Sequence, residues 1–150
     1  MFTKTSWLTF RIFLDFKMVV GYNYFIKKLW WVMKDIFTIE LSDDLFEKVV
    51  NEKKTVHLEI NDNKHKVMAV GNQLTFVNKT EDGVREVSAV IENLLYFSTI
   101  TEAIETVGKE PCGFRPSATY EKASDVFLTG ESFETVEKYG IVAIIFKIVK

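Results

Sequence analysis

An α+β domain, built on a small curved mixed sheet or partly closed barrel with two or three short helices, is the fold class that this 150-residue sequence predicts. Three observations predict it. Short runs alternate apolar and polar residues with a period of two, which marks strands with one buried face. An Asp82-Gly83 pair separates two such runs and reads as a hairpin turn. The closing run from Ile141 to Phe146 is almost continuously apolar, as expected of a strand buried on both faces.

The elements follow in order. Phe37, Ile39 and Leu41 fall on one face of a first strand, with Thr38 and Glu40 on the other. Ser42 stands at an N-cap position before Asp43 and Asp44, whose charges suit the positive end of a helix. Leu45, Phe46, Val49 and Val50 give that helix its apolar stripe. Alternation resumes from Thr55 to Ile60. Val56, Leu58 and Ile60 point inward, and Thr55, His57 and Glu59 share the opposite face.

Val70-Gly71 leads into a strand from about Gln73 to Val77, and the return strand runs from about Val84 to Leu94. A type I′ turn would place Asp82 and Gly83 at its two positive-φ positions. Thr99-x-x-Glu102 is a capping box ahead of Ile100, Ala103, Ile104 and Val107, and Gly108 stops that helix. Residues 109–130, which hold Pro111 and Pro116, read as irregular. A further short helix is expected from about Glu131 to Tyr139.

The charge is unevenly spread. The chain carries −2 formally, but residues 1–32 carry +4 and residues 33–150 carry −6. The first 32 residues also hold 10 of the 21 aromatic side chains, including Trp7, Trp30 and Trp31. Their longest stretch without charge is nine residues, Met18 to Ile26, well short of the roughly 20 that a spanning helix needs. No transmembrane span is therefore expected. Residues 1–32 read as an extension outside the working fold, upstream of a start at Met33. An amphipathic surface anchor is the alternative. Residues 33–150 form the expected domain.

An acidic domain does not hold long nucleic acid by bulk electrostatics, because phosphate affinity comes from Lys and Arg. A local basic site or a small nucleotide ligand is what that balance leaves open. Lys64, Lys66, Lys79 and Arg85 are interleaved with Asp62, Glu81, Asp82 and Glu86, which reads as a mixed solvated surface. The single cysteine, Cys112, allows no disulfide within the chain and suits a cytoplasmic setting.

Several strings, in this order and spacing, resemble the ASCH domain family of the PUA-like superfamily. The helix Leu45–Asn51 leads into Glu52-Lys-Lys54-Thr-Val-His57-Leu-Glu59, where the family carries G-x-K-x-x-E-x-R. Val70-Gly71-Asn72 stands at the family's V-G-D turn. Ser98-Thr-Ile-Thr-Glu102-Ala-Ile matches its S-F-E-E-L-like helix, and Tyr139-Gly-Ile-Val-Ala-Ile144 its closing string. The likeness covers about Ile36 to Val149. Of the four signature positions only Lys54 is kept: Glu52 replaces Gly, His57 replaces Glu and Glu59 replaces Arg.

The resemblance implies a PUA-like barrel with a cleft beside the Lys54–Glu59 strand and a role in binding RNA or a nucleoside-type ligand. Some members of the family deacetylate N4-acetylcytidine through a Lys, a Thr and a later Glu. Lys54 matches the Lys, His57 stands in the place of the Thr, and Glu102 and Glu105 are the nearest candidates for the Glu. A small amidohydrolase is thus one alternative, and a diverged fold whose site is lost is another.

The residues of the cleft fit either activity in physical terms. A lysine there binds phosphate, or acts as a base when burial depresses its pKa. His57 titrates near neutrality and forms with Glu59 an acid–base pair. The plain alternative is a solvated polar strand face with a cross-strand ion pair. The candidate catalytic residues are Lys54 and His57. The candidate ligand-binding residues are Lys54, Thr55, His57, Glu59 and Arg115; the last lies with Phe114 and Tyr120 in a segment that either overhangs the cleft and stacks a base or uses its two aromatics only to anchor a long loop. Two His and a carboxylate (His57, His65, Glu59) form a known ligand set, but His65 lies in a polar loop. Neither a metal nor another cofactor is expected.

Overall fold

The computed structural model describes residues 37–128 and 133–150. The expectations for residues 1–32, and for a domain start at Met33, lie outside the described residues. The elements are β1 (Thr38–Glu40), α1 (Asp43–Val50), β2 (Val56–Ile60), β3 (Gln73–Thr80), β4 (Gly83–Phe97), α2 (Ile100–Val107), α3 (Tyr120–Leu128), α4 (Phe133–Tyr139) and β5 (Ile141–Ile148). The five strands form one mixed sheet in the order β1-β3-β4-β5-β2, curled into a half-barrel. β1 runs parallel to β3, and every other pairing is antiparallel.

β5 lies between β4 and β2 and is apolar on both faces, as its sequence predicts. Val142, Ile144 and Phe146 enter one core with Phe46, Val49, Leu74, Phe76 and Ile91. Ile141 and Ala143 enter the other, on which Ile104 of α2, Ala123 of α3 and Val136 of α4 are packed. Among the described strands β2 stands at an edge of the sheet. Val56, Leu58 and Ile60 are buried in the second core, which leaves His57 and Glu59 on the side of the first.

Three local expectations need correction. Residues 120–128, read as irregular, form a helix, so four α-helices stand among the described residues. Thr119 starts α3 by accepting the Lys122 amide through Oγ1 at 3.2 Å, and Ala123 and Phe127 turn to the core. The 82–83 turn is displaced by one residue. Thr80 pairs with Gly83, so Glu81 and Asp82 are central and the positive φ of 136° falls on Gly83 alone. Ser42 is the N-cap of α1 by position, but its side chain makes no capping bond. At α2 the expected cap is present, with Thr99 Oγ1 accepting from the Glu102 amide at 3.2 Å.

Arg85 and Lys79 serve the fold. Buried Asn78 donates to the Leu41 carbonyl and the Asp43 carboxylate, and accepts from Arg85 at 2.9 Å. Arg85 also lies over Phe46 and bonds Glu47, while Lys79 pairs with Glu40 at 3.2 Å.

Candidate functional site

The turn that delivers Lys54 to β2 is a helix stop. The Glu52 amide donates to the Val49 carbonyl and the Lys53 amide to the Lys48 carbonyl, the two bonds of a Schellman motif. Glu52 occupies its left-handed position at φ 59°, and no other non-glycine among the described residues has positive φ. Glycine, which the family's motif carries at this position, would adopt this conformation without strain. Lys54 follows, and its own amide also bonds the Lys48 carbonyl at 2.9 Å.

Lys54 is buried, with 3% of its surface exposed. Its Nζ donates to the carbonyls of Val56 at 2.6 Å and Cys112 at 2.8 Å. Burial lowers its pKa to about 8, partly opposed by nearby groups that include the Glu59 carboxylate. A neutral amine can still donate both bonds, so losing the proton does not break this anchorage. Gly113 closes over the lysine stem at φ 93°, and a Cβ there would meet Leu45 Cδ2 at 2.9 Å and Lys54 Cδ at 3.2 Å. Lys54 and Thr55 line a cavity of about 300 Å³ with Glu52, Glu92, Phe146 and Lys147.

Further along β2, His57 Nε2 and Glu59 Oε1 are 2.9 Å apart. The imidazole stands edge-on to Phe76, with centroids 6.1 Å apart. Burial lowers the His57 pKa despite the bond to Glu59, and the charge of Lys54 lowers it further. The neutral ring therefore donates Nε2–H to the carboxylate and keeps Nδ1 as an acceptor. Burial pushes the Glu59 pKa up, but the bond to His57 and the nearby His57, His65 and Lys64 hold it below the usual range. Glu59 remains reachable, with 28% of its side chain exposed. His65 is buried with Nδ1 2.6 Å from Asp62. No group of three His, Cys, Asp or Glu among the described residues has a metal-binding arrangement.

Four of the five residues singled out from the sequence thus share one strand and its lead-in. Lys54 and Thr55 line the cavity. His57 and Glu59 form a bonded pair that is not among its walls, and they feel the charge of Lys54. Arg115 is not among the walls of that cavity; it lines a groove with Lys48 and Lys122. Glu102 lines another pocket, with Tyr96 and Tyr139, and Glu105 is exposed. The carbonyls that hold Lys54 escaped sequence reasoning, because backbone acceptors leave no residue-type signal. The positive-φ requirement at Glu52 was legible only through the glycine of the motif.

No protein-family model and no curated protein matches the chain. Solved structures do. The hypothetical protein PH0355 superposes with a TM-score of 0.60 at 21% identity, covering 75% of this chain and 97% of that one. Protein PF0455 from Pyrococcus furiosus gives 0.57 at 21%, covering 76% and 97%. A mutant of the ZmASCH protein from Zymomonas mobilis gives 0.50 at 12%, covering 75% and 73%. The chain has an ASCH-like fold. No helix among its described residues is long and apolar enough to cross a membrane.

Proposed function

We propose that this ASCH-like domain binds a nucleoside-type ligand in the cleft beside the Lys54–Glu59 strand. The observation that carries the reading is the hydrogen-bonded His57–Glu59 pair next to a buried lysine. The family signature places an acid and then a base two residues apart on this strand. Here the order is reversed, His then Glu, and the two side chains bond to each other. The polar pair is retained with its polarity exchanged. A carboxylate in place of an arginine repels phosphate and accepts hydrogen bonds from N–H groups. A neutral base with an exocyclic amine suits it better than an RNA backbone does, in keeping with the net charge of −6 over residues 33–150. A cytoplasmic location goes with this reading, supported by the buried and unpaired Cys112.

One observation favours a second reading, a small amidohydrolase. Lys54, with its pKa near 8, and neutral His57, oriented by Glu59, are groups able to move protons near neutral pH. In that reaction water adds to the acetyl carbon of an N-acetylated base. The C–N bond breaks, and acetate and the free amine leave, with one proton of the water passed to the amine and the other released to solvent.

Titrating nucleosides and a short RNA against the wild type, Lys54→Ala and Glu59→Arg tests both readings, with acetate release from N4-acetylcytidine assayed alongside. Glu59→Arg is expected to weaken nucleoside binding by about tenfold, as loss of a charged acceptor does, and to strengthen RNA binding. Acetate release by the wild type that Lys54→Ala abolishes would select the hydrolase. A wild type that neither binds nor turns over would contradict both and leave a fold whose inherited site is out of use.

A further inference from the structure

Gly113, which covers the stem of Lys54, also lines an open groove of about 480 Å³. Lys48, Arg115 and Lys122 stand in the wall of this groove, and among the described residues no carboxylate does. Three cations in one wall, of which only Lys48 has an acidic partner, is the reverse of the surrounding charge, since residues 33–150 are net acidic. Lys48 is held in place by bonds to the Gly113 carbonyl at 3.1 Å and to Asp44 at 2.8 Å. Asp44 is 75% exposed and neutralises its partner weakly. Arg115 and Lys122 are both exposed, and neither side chain makes an ion pair or hydrogen bond among the described residues.

An unpaired guanidinium presents a flat fork of donors that matches a phosphoryl group, and the two ammonium groups add point charges. The Thr119 hydroxyl lies in the same wall at the start of α3, whose positive end adds to the field. Phe114, half-buried, and Val126 supply an apolar wall. A bare inorganic ion gains nothing from that wall, whereas the organic part of a phosphate ester does. The volume falls within the roughly 300–1,000 Å³ of small-molecule pockets.

The geometry points to a binding groove for the phosphate of a nucleotide-sized phosphomonoester at Lys48, Arg115 and Lys122, distinct from the Lys54 cavity. Arg115, which the sequence left free to stack a base over the cleft, grips phosphate here instead. The inference does not rest on the nucleoside reading, because the two sets of walls share no residue.

The test is an NMR and calorimetric titration of the full chain with inorganic phosphate, a nucleoside 5′-monophosphate and the same nucleoside without phosphate. The variants are Arg115→Gln/Lys122→Gln and, as a control in neither wall, Lys53→Gln. The monophosphate is expected to shift the Arg115 and Lys122 resonances more strongly than inorganic phosphate does. Its Kd should rise at least about tenfold in the double variant and stay unchanged in the control. Short RNAs with a 5′-phosphate or a 5′-hydroxyl separate the two sources of the group. Tighter binding of the phosphorylated RNA than of the mononucleotide assigns an RNA end, and no advantage assigns a small metabolite. Absence of shifts at millimolar phosphate and monophosphate would overturn the proposal. So would an unchanged Kd in the double variant, or equal occupation of the groove by the unphosphorylated nucleoside.

Discussion

β5 and β2 are neighbours in register, with Ile144 opposite His57 and Val142 opposite Glu59, yet they do different work. β5 is flanked on both sides and feeds an apolar residue into one core or the other at nearly every position. Among the described residues β2 has one strand partner, and only one of its faces is packed as apolar core. Its other face holds a titratable pair and follows directly on a buried lysine. The difference shows how a small domain accommodates polar chemistry in its interior. Hydrophobic burial is concentrated on the strand flanked on both sides, β5, and its neighbour at the edge carries groups that are costly to desolvate.

The largest expected effect is on β5. Ile144→Ala should destabilise the domain by about 2–5 kcal/mol, as truncation of a fully buried aliphatic does. His57→Gln, opposite it on β2, should cost far less. Chemical denaturation of both variants measures the contrast, and similar losses would erase the distinction between the strands.

Next comes the buried lysine. The Lys54 pKa is about 8 in the folded chain against 10.5 for the free side chain. The unfolded chain therefore binds more protons than the folded one between these values, and stability rises with pH across that window. Cys112, raised from 9.0 to about 11, acts in the opposite direction above pH 9. Between pH 8 and 9 the Lys54 effect prevails over the onset of the Cys112 titration, and the net gain should be somewhat under about 1 kcal/mol. Lys54→Met should remove it. A wild-type curve that is flat there, or that falls, would place the ammonium in contact with water.

Glu52→Gly should stabilise the domain by up to about 1 kcal/mol, by relieving a left-handed backbone that glycine adopts freely. A loss of stability in thermal unfolding would mean that the exposed Glu52–Lys150 pair outweighs the backbone strain.

The smallest effect is on the acid side. The folded-state pKa values of His57 and Glu59 are both lowered. As pH falls, each group takes up its proton in the unfolded chain before the folded one. Stability should thus decline first below 6.5, through His57, and again below 4.5, through Glu59. His57→Gln should abolish the first limb and weaken the second, because His57 is the main group that lowers the Glu59 pKa.

Much of this architecture is legible in the sequence, for identifiable reasons. Alternation placed β1 and β2 because each buries a single face, and the unbroken apolar run placed β5 because it buries both. α3 was hidden by the two prolines before it and by a cap, Thr119, without the acidic residue that completes a capping box. At the site, residue type singled out Lys54, Thr55, His57 and Glu59, and strand spacing set His57 and Glu59 side by side. It could not show that Lys54 is enclosed, because the groups that enclose it are backbone carbonyls and a glycine distant in the chain. Nor could it separate Arg115 from the cleft, since that depends on the course of the chain through residues 109–119.

The central claim is that the polar face of β2 binds a nucleoside-type ligand. The most direct test follows the His57 imidazole nitrogens and the Thr55–Glu59 amides by NMR during titration with cytidine and N4-acetylcytidine. The account predicts a saturable shift at His57 and along β2, greatly weakened in Glu59→Arg. Unmoved His57 resonances at saturating nucleoside, or shifts confined to Arg115 and Lys122, would contradict it.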